Sequence, residues 1–326
     1  MCTSATFSGD EDHYVGRNLD FEISYGQQIV VMPRNYDLSF RHMPDQPRHY
    51  AMIGMAAIAS GYPLFFDATN EYGLSMEGLM YAGNAVYMPF KDGMDNLSSF
   101  ELIPWLLCQC KTVDEAIPLL ERINVLDEDF APSMPQSPEH YLLADQHQCV
   151  TVEPDADGLH WYENPAGVMT NNPKFPQQLF NLNNYAEVSP KNPENRFGSG
   201  LPLDPSYSRG LGTHNLPGGM DSMSRFVKIA FAAANATVEQ GEEANVGQFF
   251  HILHSVEQPK GLDEVDGDKF EYTIYSSCCN MNKGIYYYTT YYANQINAVD
   301  MHRDDLDSVE LVCHPFVDKQ KINWEN

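Results

Sequence analysis

The chain has 326 residues, of which 43% are hydrophobic and 20% charged, and its net charge is -26 at pH 7. That is a globular composition, long enough for one large domain or two ordinary ones. The acidic balance argues against nucleic acid and anionic membrane as partners, because both need a cationic footprint, and the longest apolar run, Ala51–Ala59, is too short to span a bilayer.

Cys2 directly follows Met1. A small residue there permits removal of the methionine, which leaves cysteine at the N-terminus. That residue would carry a nucleophilic thiol and a free α-amine whose ordinary pKa, about 7.7–8.0, suits a general base. Taken alone, a cysteine at position 2 is also an ordinary occupant of a frayed end. No basic and apolar leader precedes it. The seven cysteines are odd in number and irregularly spaced, which fits free thiols in a reducing cytoplasm. They lack zinc-ligand spacing, and the histidines show no H-x-x-x-H or H-E-x-x-H pattern, so no metal or other cofactor is expected.

Arg17 and Asp20 follow in an early loop or strand end. Asp20 could accept hydrogen bonds from Cys2, and Arg17 could lower its thiol pKa. As an exposed pair the two would mean little. Strands are expected over Gln28–Met32, Ala51–Ile58, Leu64–Ala68 and Leu74–Gly78, separated by Gly, Pro and Asn signals. Helices are expected over Phe100–Cys110 and Thr112–Ile123, the second with a Thr cap and early acids. A second strand group covers Tyr141–Ala144, Cys149–Glu153, Gly158–Tyr162 and Gly167–Thr170.

Asn171, at the end of that last strand, could present its amide as a donor to a developing oxyanion. Turn formation by Asn-Pro is the plainer alternative. Ser189–Pro205 has the composition of a long surface loop. Two helices then show apolar residues at i, i+3, i+4 and i+7. One begins near Arg225 and runs through Phe226, Ile229, Ala230 and Ala233. The other holds Val246, Phe249, Phe250 and Leu253, with Asn245 and Gln248 at capping-box spacing. Arg225 is a cation near the positive end of its helix, a local conflict typical of functional sites. Phe270–Ser276, Gly284–Tyr291 and Ile296–Met301 complete an antiparallel meander, in which Tyr286, Tyr287 and Tyr288 should alternate faces. Strands, helices, strands, helices, strands suggests two sheets with helix pairs outside.

Seven segments together resemble the choloylglycine hydrolase family, the bile salt hydrolases and penicillin V acylases of the N-terminal nucleophile hydrolase superfamily. They are Met1-Cys2-Thr3, GRNLDFEISYG, PRNY, NEYGL, VMTNNP, YSRGLG…LPGG…SRF and EYTIYSS, in order along nearly the whole chain. The resemblance implies one α+β domain over residues 1–326, a four-layer αββα sandwich of two antiparallel sheets. It implies Cys2 as nucleophile and base, Arg17 and Asp20 as its tuning groups, Asn171 and the Met80 N–H as oxyanion donors, and Arg225 as a charge stabiliser. Substrate contacts are expected from Met80, Tyr81, Ser208 and Arg209. The Ser208-Arg209-Gly210 loop is similar to that of taurine-preferring members, and an arginine can pair with a sulfonate. Met80 departs from both branches, since bile salt hydrolases usually have Asn there and penicillin V acylases Tyr.

The expected activity is hydrolysis of taurine- or glycine-conjugated bile acids without a cofactor, in the cytoplasm, by a homo-oligomer that is tetrameric by resemblance. Penicillin V acylase activity is the alternative within the family. A catalytically inactive bile-acid-binding homologue is the alternative of another class.

Overall fold

The computed structural model describes residues 1–198 and 200–326. In chain order the strands and helices are β1 (Cys2–Ser8), β2 (His13–Phe21), β3 (Gln28–Met32), β4 (Met52–Ala59), β5 (Tyr62–Asn70), β6 (Ser75–Met80), β7 (Asp95–Ser98), α1 (Leu102–Leu107), α2 (Val113–Leu120), β8 (Ile123–Leu126), β9 (Glu139–Ala144), β10 (Cys149–Asp155), β11 (Gly158–Glu163), β12 (Val168–Met169), α3 (Phe175–Asn181), α4 (Ser222–Asn235), α5 (Glu242–His254), β13 (Glu264–Val265), β14 (Lys269–Phe270), β15 (Tyr272–Asn280), β16 (Ile285–Thr290), β17 (Ala293–Asp300) and β18 (Val312–His314). One antiparallel sheet has the order β12-β1-β2-β15-β16-β17 and the other β11-β10-β9-β6-β5-β4-β3-β18.

Alternation along the strands sorts the core into three layers. Ile29, Val31, Ile53 and Met55 meet Val15, Leu19, Tyr275 and Tyr286 between the sheets. Val30, Met32 and Met52 face the other way, onto Leu102, Leu106 and Val113 of α1 and α2. Ala5, Phe7 and Tyr14 pack on Phe226, Ile229, Phe249 and Leu253 of α4 and α5. The result is the αββα sandwich. Tyr286 and Tyr288 enter the layer between the sheets while Tyr287 lies against the helix layer, so the tyrosine run alternates as expected.

Several boundaries differ from expectation. The first helix is a 3-10 turn over Ser99–Glu101 followed by six α-helical residues. The second starts where its cap predicts, with the Thr112 side chain accepting from the Glu115 N–H. It stops at Leu120, however, because Ile123 opens β8, which pairs in parallel with β7. Asn245 does not cap α5. That helix starts at Glu242, and Asn245 lies inside it, its amide clasping the backbone of Glu239 and Gly241. Arg17 and Asp20, expected in a loop or strand end, lie within β2, and Cys2 opens β1. Thr3, Ser4, Arg17, Asn18 and Asp20 are buried polar residues, and they erase the apolar alternation that marks a strand. Gly16 is required there, since a Cβ would stand 2.0 Å from the Ser277 carbonyl oxygen on β15.

Candidate active site

Register brings the first residues of the chain to Asn171. On β1 and β12, Ser4 pairs with Met169. Extending that antiparallel ladder by two sets residue 2 opposite residue 171. The Cys2 backbone N–H donates to Asn171 Oδ1 at 2.9 Å. The other half of the same amide, Asn171 Nδ2, donates to the Met80 carbonyl at 2.7 Å. Asn171 is held in turn through its own N–H, which donates to Ser222 Oγ at 2.9 Å, and through its carbonyl, which accepts from Gln178 Nε2 at 3.0 Å.

Arg225 lies in the first turn of α4 yet is only 1% exposed. The Asp221 side chain caps that helix and offsets the unfavourable position of the cation. The Arg225 guanidinium donates to the Cys2 carbonyl at 2.6 Å, to Asn171 Oδ1 at 2.7 Å, to Thr3 Oγ1 and, through Nε, to the Met220 carbonyl at 2.8 Å. Burial lowers its pKa against the opposing pull of Asp20 and Cys2. Asp20 Oδ2 lies 4.0 Å from Arg225 Nη1, while Oδ1 accepts from Thr273 Oγ1 at 2.6 Å. Burial raises the Asp20 pKa, and Arg225 opposes the rise. Asp20 Oδ2 has no hydrogen-bond partner among the described residues.

Met1 is present and continues the β1–β2 ladder, its carbonyl accepting from the Asp20 N–H at 2.8 Å. Its ammonium donates to the Asp20 carbonyl at 2.6 Å and contacts Glu271. Burial lowers the pKa of that ammonium. In this state the Cys2 nitrogen is an amide and cannot take up a proton.

Arg17 reaches Cys2 from β2, on the other side. The β5–β6 pairing ends at Asp67 and Glu77. Beyond that point the strands splay, and the Arg17 guanidinium fills the gap, donating to the Phe66 carbonyl at 2.8 Å and to the Gly78 carbonyl. Burial opposes its charge, but Cys2, Tyr275, Asp67 and Glu77 more than offset that and raise its pKa. The same splay exposes a donor. Tyr81 N donates to the carbonyl of Pro138, the residue before β9, so by strand alternation the Met80 N–H and carbonyl point away from β9, toward the side where Asn171 meets that carbonyl.

Cys2, Arg17 and Met80 line an open cleft of about 180 Å³. Its walls are largely apolar, with Leu19, Phe21, Phe65, Phe66, Phe100 and Phe130 among them. Three expected substrate contacts lie elsewhere. Tyr81 is fully buried and stacks on His140 with ring centroids 4.3 Å apart, because it follows Met80 in the chain and faces the other way. Ser208 and Arg209 are exposed in the segment that precedes α4, and neither lines this cleft.

Sequence reasoning did not single out Thr3, Gln178, Ser222 or Thr273, which hold the site residues in place. Three of them had a signal. Ser222 is three residues before Arg225, Thr273 lies within EYTIYSS, and Thr3 adjoins Cys2. Gln178, in the unanticipated helix α3, had none.

Residues 2–314 match the model of the choloylglycine hydrolase family of linear amide C–N hydrolases. The chain is 48% identical over 97% of its length to a bile salt hydrolase/transferase of Lactiplantibacillus plantarum, of which it covers 97%. It superposes on the C2A mutant of the conjugated bile acid hydrolase from Clostridium perfringens with a TM-score of 0.92, covering 100% of both chains at 31% identity. A penicillin V acylase from Agrobacterium tumefaciens shares the fold at a TM-score of 0.75 and 20% identity, with 95% of this chain and 90% of that one covered. With Cys2 set between Asn171, Arg225 and Arg17 in an αββα sandwich, the chain belongs to the choloylglycine hydrolase family and is a linear amide C–N hydrolase.

Proposed function

We propose that the protein hydrolyses the amide joining a bile acid to taurine or glycine. The observation that carries this is the likeness to a bile salt hydrolase over nearly the full length of both chains. A mostly apolar cleft at Cys2 suits a steroid acyl group. Both the substrate and the protein are anionic, so long-range steering is unfavourable. Affinity must come from apolar burial, worth roughly 25 cal/mol per Å² before binding costs are subtracted.

The reaction begins after Met1 is removed. The new α-amine of Cys2 takes the place of the amide that now meets Asn171 Oδ1, and the unpartnered Asp20 Oδ2 is a second acceptor for it. The amine takes the Sγ proton as sulfur attacks the substrate carbonyl carbon. Asn171 Nδ2 and the Met80 N–H stabilise the oxyanion. Collapse breaks the C–N bond, and the amine passes its proton to the departing taurine or glycine nitrogen. Water, deprotonated by the same amine, then cleaves the thioester and frees the bile acid and the thiol. A backbone donor at Met80 does not depend on the side chain, so the missing Asn leaves the chemistry intact. Met80 itself adds an adaptable apolar contact.

We assign residues 1–326 to one catalytic domain and the protein to the cytoplasm. The seven unpaired cysteines are consistent with that compartment, and no described helix is long and apolar enough to cross a membrane. A homotetramer is the assembly the family resemblance implies. Phe197, Leu201, Leu203 and Tyr207 expose apolar surface on one loop.

Amine release from taurocholate, glycocholate and penicillin V, measured side by side, tests the substrate. Release from the bile salts should exceed that from penicillin V by at least tenfold in kcat/KM. Dominant release from penicillin V would overturn the assignment and point to Met80 as the reason.

A further inference from the structure

Behind Arg17, Asp67 and Glu77 face each other across β5 and β6 as register partners. Each is 3% exposed. Their satisfaction is unequal. Asp67 accepts from the Tyr275 and Tyr286 hydroxyls, both at 2.7 Å, and from the Met55 N–H at 3.4 Å. Glu77 Oε2 has no partner among the described residues, and neither has Ser4 Oγ close by. Like charges directly opposite on a sheet repel; burial raises both carboxyls, and at Asp67 the three donors oppose that rise. One guanidinium, that of Arg17, serves both.

We propose that Glu77 is a positioning residue that holds a proton while the enzyme works, so that on its inner side, away from the cleft, Arg17 faces one carboxylate rather than two and keeps its positive field at Cys2. The inference rests on the nucleophilic role assigned to Cys2 above. Burial raises Glu77, and the charge of Asp67 raises it further, to about 8. The groups facing it are Arg17 from β2, Asp67 from β5, Cys149 from β10, and Cys278 and Cys279 from β15. Tyr275 and Tyr286 act through Asp67. On the cleft side of Arg17 stands Glu139, which burial raises to about 7 against the pull of Arg17.

Ionisation of Glu77 adds a second negative charge on the inner side of Arg17 and should weaken the positive field that Arg17 presents to the Cys2 sulfur. The sign for stability is also fixed. A carboxyl raised from 4.5 to about 8 makes the folded state bind the extra proton, so stability falls as pH rises through that window. Glutamine copies the protonated shape without the titration.

The test compares wild type with Glu77→Gln from pH 5.5 to 9.5, reading kcat/KM for taurocholate and the thermal midpoint. The alkaline fall in kcat/KM should move up by at least one pH unit in Glu77→Gln, and the midpoint should drop less between pH 6 and 9. Superimposable profiles and equal midpoint slopes would overturn the proposal. A measurement on wild type alone guards against a misfolded variant. The rate of Cys2 alkylation by iodoacetamide, followed by peptide mass, should bend downward near pH 8. A single thiol titration without that bend would also overturn it. Absence of taurocholate turnover at every pH would instead count against the substrate assignment, leaving the alkylation and midpoint readings to decide on Glu77.

Discussion

Cys2→Ala should lose at least roughly 10³-fold in amide turnover while keeping its fold. The side chain is small, it lies at the first position of β1, and the neighbouring ladder to β2 is made by backbone. Removing one sulfur from a residue 7% exposed leaves little cavity. It takes away, however, the only atom in the cluster able to attack a carbonyl. Arg17, Asn171 and Arg225 converge on this residue by contact or charge, and Asp20 stands beside Arg225. Cys2→Ser should also be severely impaired, because a hydroxyl is far less acidic than a thiol and the same amine would have to deprotonate it. Amine release, with thermal unfolding as the control for folding, checks both. Near-normal turnover in a folded Cys2→Ala protein would sink the mechanism.

Asn171→Ala should cost about 10²–10³-fold in kcat, the usual effect of deleting one oxyanion donor. It also removes the acceptor that holds the Cys2 nitrogen at 2.9 Å and Arg225 Nη2 at 2.7 Å. Asn171→Asp separates the two contributions. It keeps an acceptor for the amine and Arg225 but turns the donor into a second acceptor facing the Met80 carbonyl. If the donor matters most, Asp should be as poor as Ala or poorer. If Asp retained most of the activity, Asn171 would serve only to position the amine, and the oxyanion would have to rest on Met80 and Arg225. Single-turnover rates with taurocholate distinguish these cases.

How much of this was legible in the sequence depended on what each element buries. Strands such as Gln28–Met32, with apolar residues on both faces, announce themselves, as do the helices that lay one apolar stripe on a sheet. β1 and β2 did not, although they carry Cys2, Arg17 and Asp20, because their buried faces hold Thr, Ser, Asn, Asp and Arg whose partners come from elsewhere in the chain. Thr273, which fixes Asp20, is 253 residues away from it. Arg225 was flagged by a local conflict, a cation at a helix start, and the structure explains that conflict through its bonds to Cys2 and Asn171. Tyr81 was misplaced for the opposite reason. Motif adjacency put it at the substrate, whereas strand alternation turns it onto His140. The charge arrangement around Arg17 was invisible, since nothing in the spacing of Asp67 and Glu77 says that β5 and β6 set them opposite each other.

The most direct measurement of the central claim pairs intact mass with turnover on the same preparations. One preparation carries the free Cys2 terminus. The other retains Met1 through inhibition of methionine removal during expression. Taurocholate turnover should scale with the fraction of protein that has lost Met1, and the retained form should contribute less than about one hundredth of the rate, as expected when a general base worth 10²–10⁴-fold is blocked. Equal turnover from the Met1-retaining form would contradict the account, because its Cys2 nitrogen is an amide and cannot carry the proton.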